Sequence, residues 1–211
     1  SAWDSTNSAE IPTGKQRLTP QGIWYTPVSG IWQTVWLEPV NSDISIAELR
    51  ITPDIDRDLV SVETYTDRIA AGDKYAVKLT VSRAGREIGS VMSRINRRAW
   101  ITIDTPELWS PDNPCLYDLE ASLYEIEDPF AAPRRAAGED NFRLIRLGNS
   151  EAEAYEKAVP IGAPLDVVKS YFGMRKISLG PGKREGQPVM TLNGRPLFQN
   201  GTMDQGWWPD G

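Results

Sequence analysis

The sequence of 211 residues contains no histidine and a single cysteine. Without histidine there is no Ser-His-Asp triad, no Cys-His nucleophile pair and no histidine-ligated zinc site. One cysteine, Cys115, excludes an internal disulfide and a multi-cysteine metal cluster, so no metal is expected. It reads as a small core side chain. No run of about 18 apolar residues occurs, so no membrane-spanning helix and no membrane partner are expected. No basic-then-apolar leader opens the stretch. Positive charge is in deficit, 23 Lys and Arg against 29 Asp and Glu, for a net charge of −6. Nucleic-acid binding needs clustered cations. The groups Arg94–Arg97–Arg98 and Arg134–Arg135 are short and read as solvated faces.

Helical periodicity is also scarce. The one helix-like stretch is SEAEAYEKA, 150–158, with Ser150 as a cap and Glu153 at capping-box spacing. What is abundant is a period of two. Tyr75, Val77, Leu79 and Val81 share one face, and Ala76, Lys78 and Thr80 the other. Tyr117, Leu119, Ala121 and Leu123 repeat the pattern, with Asp118, Glu120 and Ser122 outward. Such alternation describes half-buried strands. Further strands are predicted at 31–38, 44–52, 59–66, 87–95, 99–103 and 166–179. Ala84-Gly85-Arg86 between two strand-like runs reads as a hairpin turn, and so does Asn193-Gly194, where both positions tolerate positive φ. Short strands with regular turn signals predict an all-β, two-sheet antiparallel sandwich. A polar stretch, 128–163, reads as a long surface insertion too polar to enter the core, and GPGKREGQP, 180–188, as a linker.

Four stretches, in order, resemble glycoside hydrolase family 2, the β-galactosidase/β-glucuronidase group. SGIWQTVWLEPV (29–40) is similar to the last strand of that family's N-terminal jelly roll. LWSPDNPCLYDLEASLY (108–124) and YFGMRKISL (171–179) are similar to its immunoglobulin-like sandwich. LNGRPLFQNGTMDQGWWPDG (192–211) is similar to the entry into its catalytic (β/α)8 barrel. The resemblance implies three pieces. Residues 1–40 would end a sugar-binding-type jelly roll, 41–179 would be an immunoglobulin-like antiparallel β-sandwich carrying the 128–163 insertion, and 180–211 would be linker, hairpin and first barrel strand. A (β/α)8 barrel takes about 250 residues, more than the chain has to spare.

By that resemblance the parent chain is a retaining hydrolase of O-glycosyl bonds in β-linked sugars, β-galactosidase-like, with carbohydrate substrate and no cofactor. The sequence does not give its compartment; the resemblance favours periplasmic or secreted. This stretch would be its non-catalytic scaffold, inactive alone, partnered by the jelly roll and barrel, and prone to self-association through exposed ends. Retaining glycosidases use two carboxyls about 5–5.5 Å apart. Neither family motif for them occurs, so no catalytic residue is assigned. Glu125/Glu127 and Glu151/Glu153/Glu156 are pairs by spacing only and read as solvated positions.

The candidate substrate-binding residues are Asp204, Gln205, Trp207 and Trp208, at the end of the implied first barrel strand. A carboxylate and an amide can bond sugar hydroxyls, and an indole can stack on a pyranose. Many relatives carry histidine where Gln205 stands, which bears on which sugar would bind. Trp3-Asp4 resembles a jelly-roll strand end that in some relatives reaches toward the site. Trp24, Trp32 and Trp36 read as a packed face, and Trp100 and Trp109 as core or sheet-edge packing. Asp54, Asp56 and Asp58 lack the glycine and distal glutamate of a calcium loop and read as a strand-end turn. A reading from another class is a self-contained carbohydrate-binding or adhesion β-sandwich module presenting Trp207 and Trp208.

Overall fold

The computed structural model describes residues 15, 17–24, 34–68, 74–130, 150–182 and 186–202. Residues 40–198 form one compact unit, and residues 1–39 with 199–211 form another.

The larger unit is built of antiparallel strands. A three-stranded sheet has the order β1 (Ile46–Asp54), β2 (Leu59–Thr66), β5 (Arg98–Thr102). A four-stranded sheet runs β4 (Arg86–Arg94), β3 (Tyr75–Arg83), β6 (Tyr117–Glu125), β7 (Asp166–Phe172). Their inner faces share one core. Val60 and Val62 of β2 and Ala99 and Ile101 of β5 meet Val77, Leu79 and Val81 of β3 and Leu119 and Ala121 of β6. Those of β3 and β6 are the alternating positions read from the sequence, and full burial of each such valine or leucine stabilises by about 1.5–3 kcal/mol. Tyr117 stacks on Phe172 at 5.5 Å between centroids. The Ile46 amide donates to Asp166 Oδ2 at 2.8 Å, tying β1 to β7.

The two predicted hairpin turns form. Ala84 and Gly85 have φ of 50° and 76°, and Asn193 and Gly194 have 52° and 77°. Positive φ at both central positions matches the twist of the flanking strands. Asp54 Oδ1 accepts from the amides of Asp56 and Arg57, so the acidic run closes the β1–β2 turn.

Four features differ from expectation. The strand predicted over 166–179 is broken: β7 ends at Phe172, and β8 (Ile177–Pro181) starts a separate sheet. That sheet has the order β8, β9 (Pro188–Leu192), β10 (Arg195–Pro196). Of the stretch read as a linker, Gly180 and Pro181 belong to β8 and Pro188 to β9, with Pro181 opposite Pro188. The 128–163 stretch reaches the core. Helix α1 (Ser150–Glu156) carries Tyr155, whose ring meets Phe130 edge-on at 6.0 Å, both fully buried over Ala76 and Ile126. Two aromatics suffice to anchor an otherwise polar segment. Residues 34–40 have no regular structure, and Val35, Trp36 and Leu37 are exposed, so the strand predicted over 31–38 has no ladder among the described residues. In the smaller unit, the Arg17 guanidinium lies 3.7 Å from the Trp24 ring centroid.

Candidate functional site

The residues that the sequence marks for sugar binding, Asp204, Gln205, Trp207 and Trp208, lie outside the described residues, as do Trp3, Asp4 and Trp32. The structure describes the chain that leads to them and what anchors it. The anchor is the turn between β9 and β10. Asn193 closes it with three polar contacts: its amide donates to Lys176 O at 2.8 Å, its Oδ1 accepts from Lys176 N at 2.9 Å, and its Nδ2 donates to Trp109 O at 3.0 Å. Asparagine tolerates the left-handed conformation there, which most side chains resist.

Trp109 is held in turn. Its amide donates to Met174 O at 2.9 Å, and Met174 is fully buried in the sandwich core. Gly173 lies flat against the indole; a Cβ at that position would stand 3.0 Å from Trp109 Cβ. The Arg175 guanidinium covers the ring at 4.7 Å. Lys176 Nζ pairs with Asp56 in the β1–β2 turn. The break after β7 therefore has a structural purpose: residues 173–176 turn out of the sheet to grip Trp109 and Asn193.

The loop after β5 is fastened by a second network. Glu107 accepts from Asn113 Nδ2 at 2.9 Å and pairs with Arg83. Those bonds, the Asn113 amide first and the guanidinium second, hold its carboxyl below the usual glutamate range. The Glu107 amide donates to the Tyr117 hydroxyl at 2.8 Å. Ser110 and Asn113 exchange backbone hydrogen bonds at 2.9 and 3.1 Å, which folds Ser110–Pro114 into a tight turn without a ligand.

The paired glutamates show no catalytic arrangement among the described residues. Glu151 is bound to Arg94 at 2.6 Å, which pins helix α1 to β4, while Glu153 and Glu156 are exposed. Trp100 is 55% exposed on edge strand β5 and is not part of the core. Residue types alone did not mark Asn193, Gly173 and Lys176 as the anchor. The Asn-Gly pair signals the turn, but not its partner.

The sequence profile of the family described as "Glycosyl hydrolases family 2" matches residues 44–132, from just before β1 to just past β6. Over this segment the chain is similar to that family. Solved structures are similar to part of the chain at low identity. A β-glucuronidase of Lactobacillus rhamnosus aligns with 74% of this chain and 19% of its own, at 16% identity and a TM-score of 0.45. A β-D-glucuronidase of Dictyoglomus thermophilum aligns with 75% of this chain and 19% of its own, at 12% identity and 0.45. Bacteroides uniformis β-glucuronidase 3 aligns with 75% and 15%, at 20% identity and 0.45. The chain spans less than a fifth of the length of these enzymes. No curated protein matches it.

Proposed function

We propose that this chain is the scaffold portion of a retaining glycoside hydrolase that removes a terminal β-linked sugar. The observation that carries the reading is the family 2 match over residues 44–132. The sandwich supplies no reacting group. Its task is to hold the β9–β10 turn, through Asn193, Lys176 and Trp109, at a constant position against the core. The chain continues from that turn to Asp204, Gln205, Trp207 and Trp208. These would bind substrate at the mouth of a barrel formed by the rest of the parent chain. Asp204 and Gln205 would take sugar hydroxyls, and the indoles would stack on the ring. The two catalytic carboxyls would come from later barrel strands. The jelly roll and the barrel are the partners in this reading, and a β-galactoside is the first substrate to try.

The test is expression of the whole open reading frame containing this stretch. The product is assayed on nitrophenyl β-galactoside and β-glucuronide, with the anomer of the released sugar followed by proton NMR. Hydrolysis with retention is expected, with Trp208→Ala raising KM about tenfold or more and the 211-residue chain inactive alone. Hydrolysis with inversion, or no hydrolysis of any β-glycoside by the whole product, overturns the proposal. Sugar binding by the 211-residue chain through Trp207 and Trp208 without any hydrolysis would instead mark a binding module.

A further inference from the structure

The groove beside β4, β5 and α1 has no part in the scaffold just described. It is a product of how two sheet edges meet. β4 is the edge strand of the four-stranded sheet and β5 that of the three-stranded sheet. Gly89 of β4 lets them close: a Cβ there would lie 3.1 Å from Ile101 Cγ2 and 3.5 Å from the Thr102 carbonyl oxygen. Residues of both edges, with Lys78 and Tyr124 from the four-stranded sheet and Glu156 and Pro160 from the segment of α1, line one groove. The resulting groove measures about 740 Å³, within the roughly 300–1,000 Å³ of small-ligand sites.

Its lining has an unusual mixture. Trp100 stands on the outward side of β5, between buried Ala99 and Ile101, and is 55% exposed. Such exposure leaves a large apolar ring facing water on a rigid strand. Tyr124 of β6 adds a second, partly buried ring. Lys78 and Glu156 also line the groove, and neither has a hydrogen-bond or ion-pair partner among the described residues. Thr102 adds a hydroxyl.

We propose that this groove is an oligosaccharide-binding site built from residues other than Asp204, Gln205, Trp207 and Trp208. A pyranose has an apolar C–H face and a rim of hydroxyls that both donate and accept. The face matches the Trp100 indole. The rim can donate to the Glu156 carboxylate and accept from the Lys78 ammonium, so both remain satisfied when water leaves. An apolar protein surface could not do this, because it would strip water from an unpaired lysine and glutamate. A nucleic acid is opposed by Glu156 and by the net charge of −6.

The experiment titrates the 211-residue chain with soluble hexasaccharides of β-linked glucose, galactose and xylose, following the indole Nε1–H signals by NMR. Saturable movement of the Trp100 signal is expected for at least one of them, with Kd of roughly 0.1–10 mM. Trp100→Ala should weaken binding about tenfold or more with the melting temperature unchanged. If Trp100→Ala fails to fold, the double variant Lys78→Gln/Glu156→Gln, which alters only exposed side chains, carries the same expectation. A Trp100 signal that stays still through about 50 mM of every saccharide overturns the proposal. So does binding that survives these variants but is lost in Trp207→Ala or Trp208→Ala. The hydrolase reading is judged separately. Hydrolysis without groove binding rejects only the groove, and groove binding without hydrolysis rejects only the hydrolase.

Discussion

Replacing Asn193 by aspartate changes one amide group and little else. The side chain keeps its size, and aspartate, like asparagine, tolerates the φ of 52° found there. Oδ1 can still accept from the Lys176 amide at 2.9 Å. What disappears is the Nδ2 donor to Trp109 O at 3.0 Å, a contact between residues 84 apart in sequence. In its place a carboxylate oxygen faces a carbonyl oxygen. Losing a hydrogen bond and leaving its acceptor unpaired costs about 1–3 kcal/mol when buried, and the half-buried position of Asn193 favours the lower part, about 1–2 kcal/mol. For a unit of this size that is a melting-temperature drop of about 2–8 °C. The assay is urea denaturation of the 211-residue chain, wild type against Asn193→Asp, read by circular dichroism. The difference carries its own pH signature. A protonated aspartic acid regains a donor, so the folded state favours the protonated form and raises the carboxyl pKa. The deficit should therefore be absent well below the usual aspartate range and appear as pH rises through the raised value. Equal stability at neutral pH, or a deficit of the same size throughout the acid range, would refute the assigned role of Asn193.

Three further outcomes are expected. Gly173→Ala forces a methyl to within 3.0 Å of Trp109 Cβ; overpacking of this kind costs about 1–3 kcal/mol, and an unchanged denaturation midpoint would count against the grip on Trp109. Glu107→Gln should lower the melting temperature at neutral pH but not in acid, because a depressed carboxyl pKa contributes stability that is full above the ordinary glutamate value and lost as pH falls through the folded one; a difference that persists in acid would show that the charge is not the cause. Thr64 is buried at 1% exposure, and its hydroxyl has no partner among the described residues. Thr64→Val should stabilise by about 0.5–1.5 kcal/mol, and a lower midpoint for that variant would mean that the hydroxyl is satisfied in solution.

Local chemistry made the strands and turns legible. Tyr117-Asp-Leu-Glu-Ala-Ser-Leu123 alternates residue by residue, and every apolar member of the run is buried. Ala84-Gly85 and Asn193-Gly194 bend where they were expected to, since positive φ is a property of two adjacent residues. The break after Phe172 was not legible, because YFGMRKISL keeps a strand-like composition throughout. At the break Gly173 packs against Trp109, a residue brought from another loop, at a distance that leaves no room for a side chain. Phe130 and Tyr155 were hidden for a similar reason. Each is a lone aromatic in a polar stretch, and they become core only by meeting each other over Ala76 and Ile126. The residues proposed to bind sugar, Asp204, Gln205, Trp207 and Trp208, lie outside the described residues, and nothing in that motif names the Asn193 turn that precedes it.

By itself the sequence determined the class of this protein. Its period-two strands, its paired turn residues and its absent histidine are decided within a few residues of each other, where side-chain direction and backbone freedom act. Only the tertiary structure decided which strand edges meet, how closely Gly89 approaches Ile101 at that meeting, and that Asn193 fastens to Trp109. Those depend on side-chain partners far apart in the chain. Such partners meet only when the sheets have closed, so a local pattern cannot announce them.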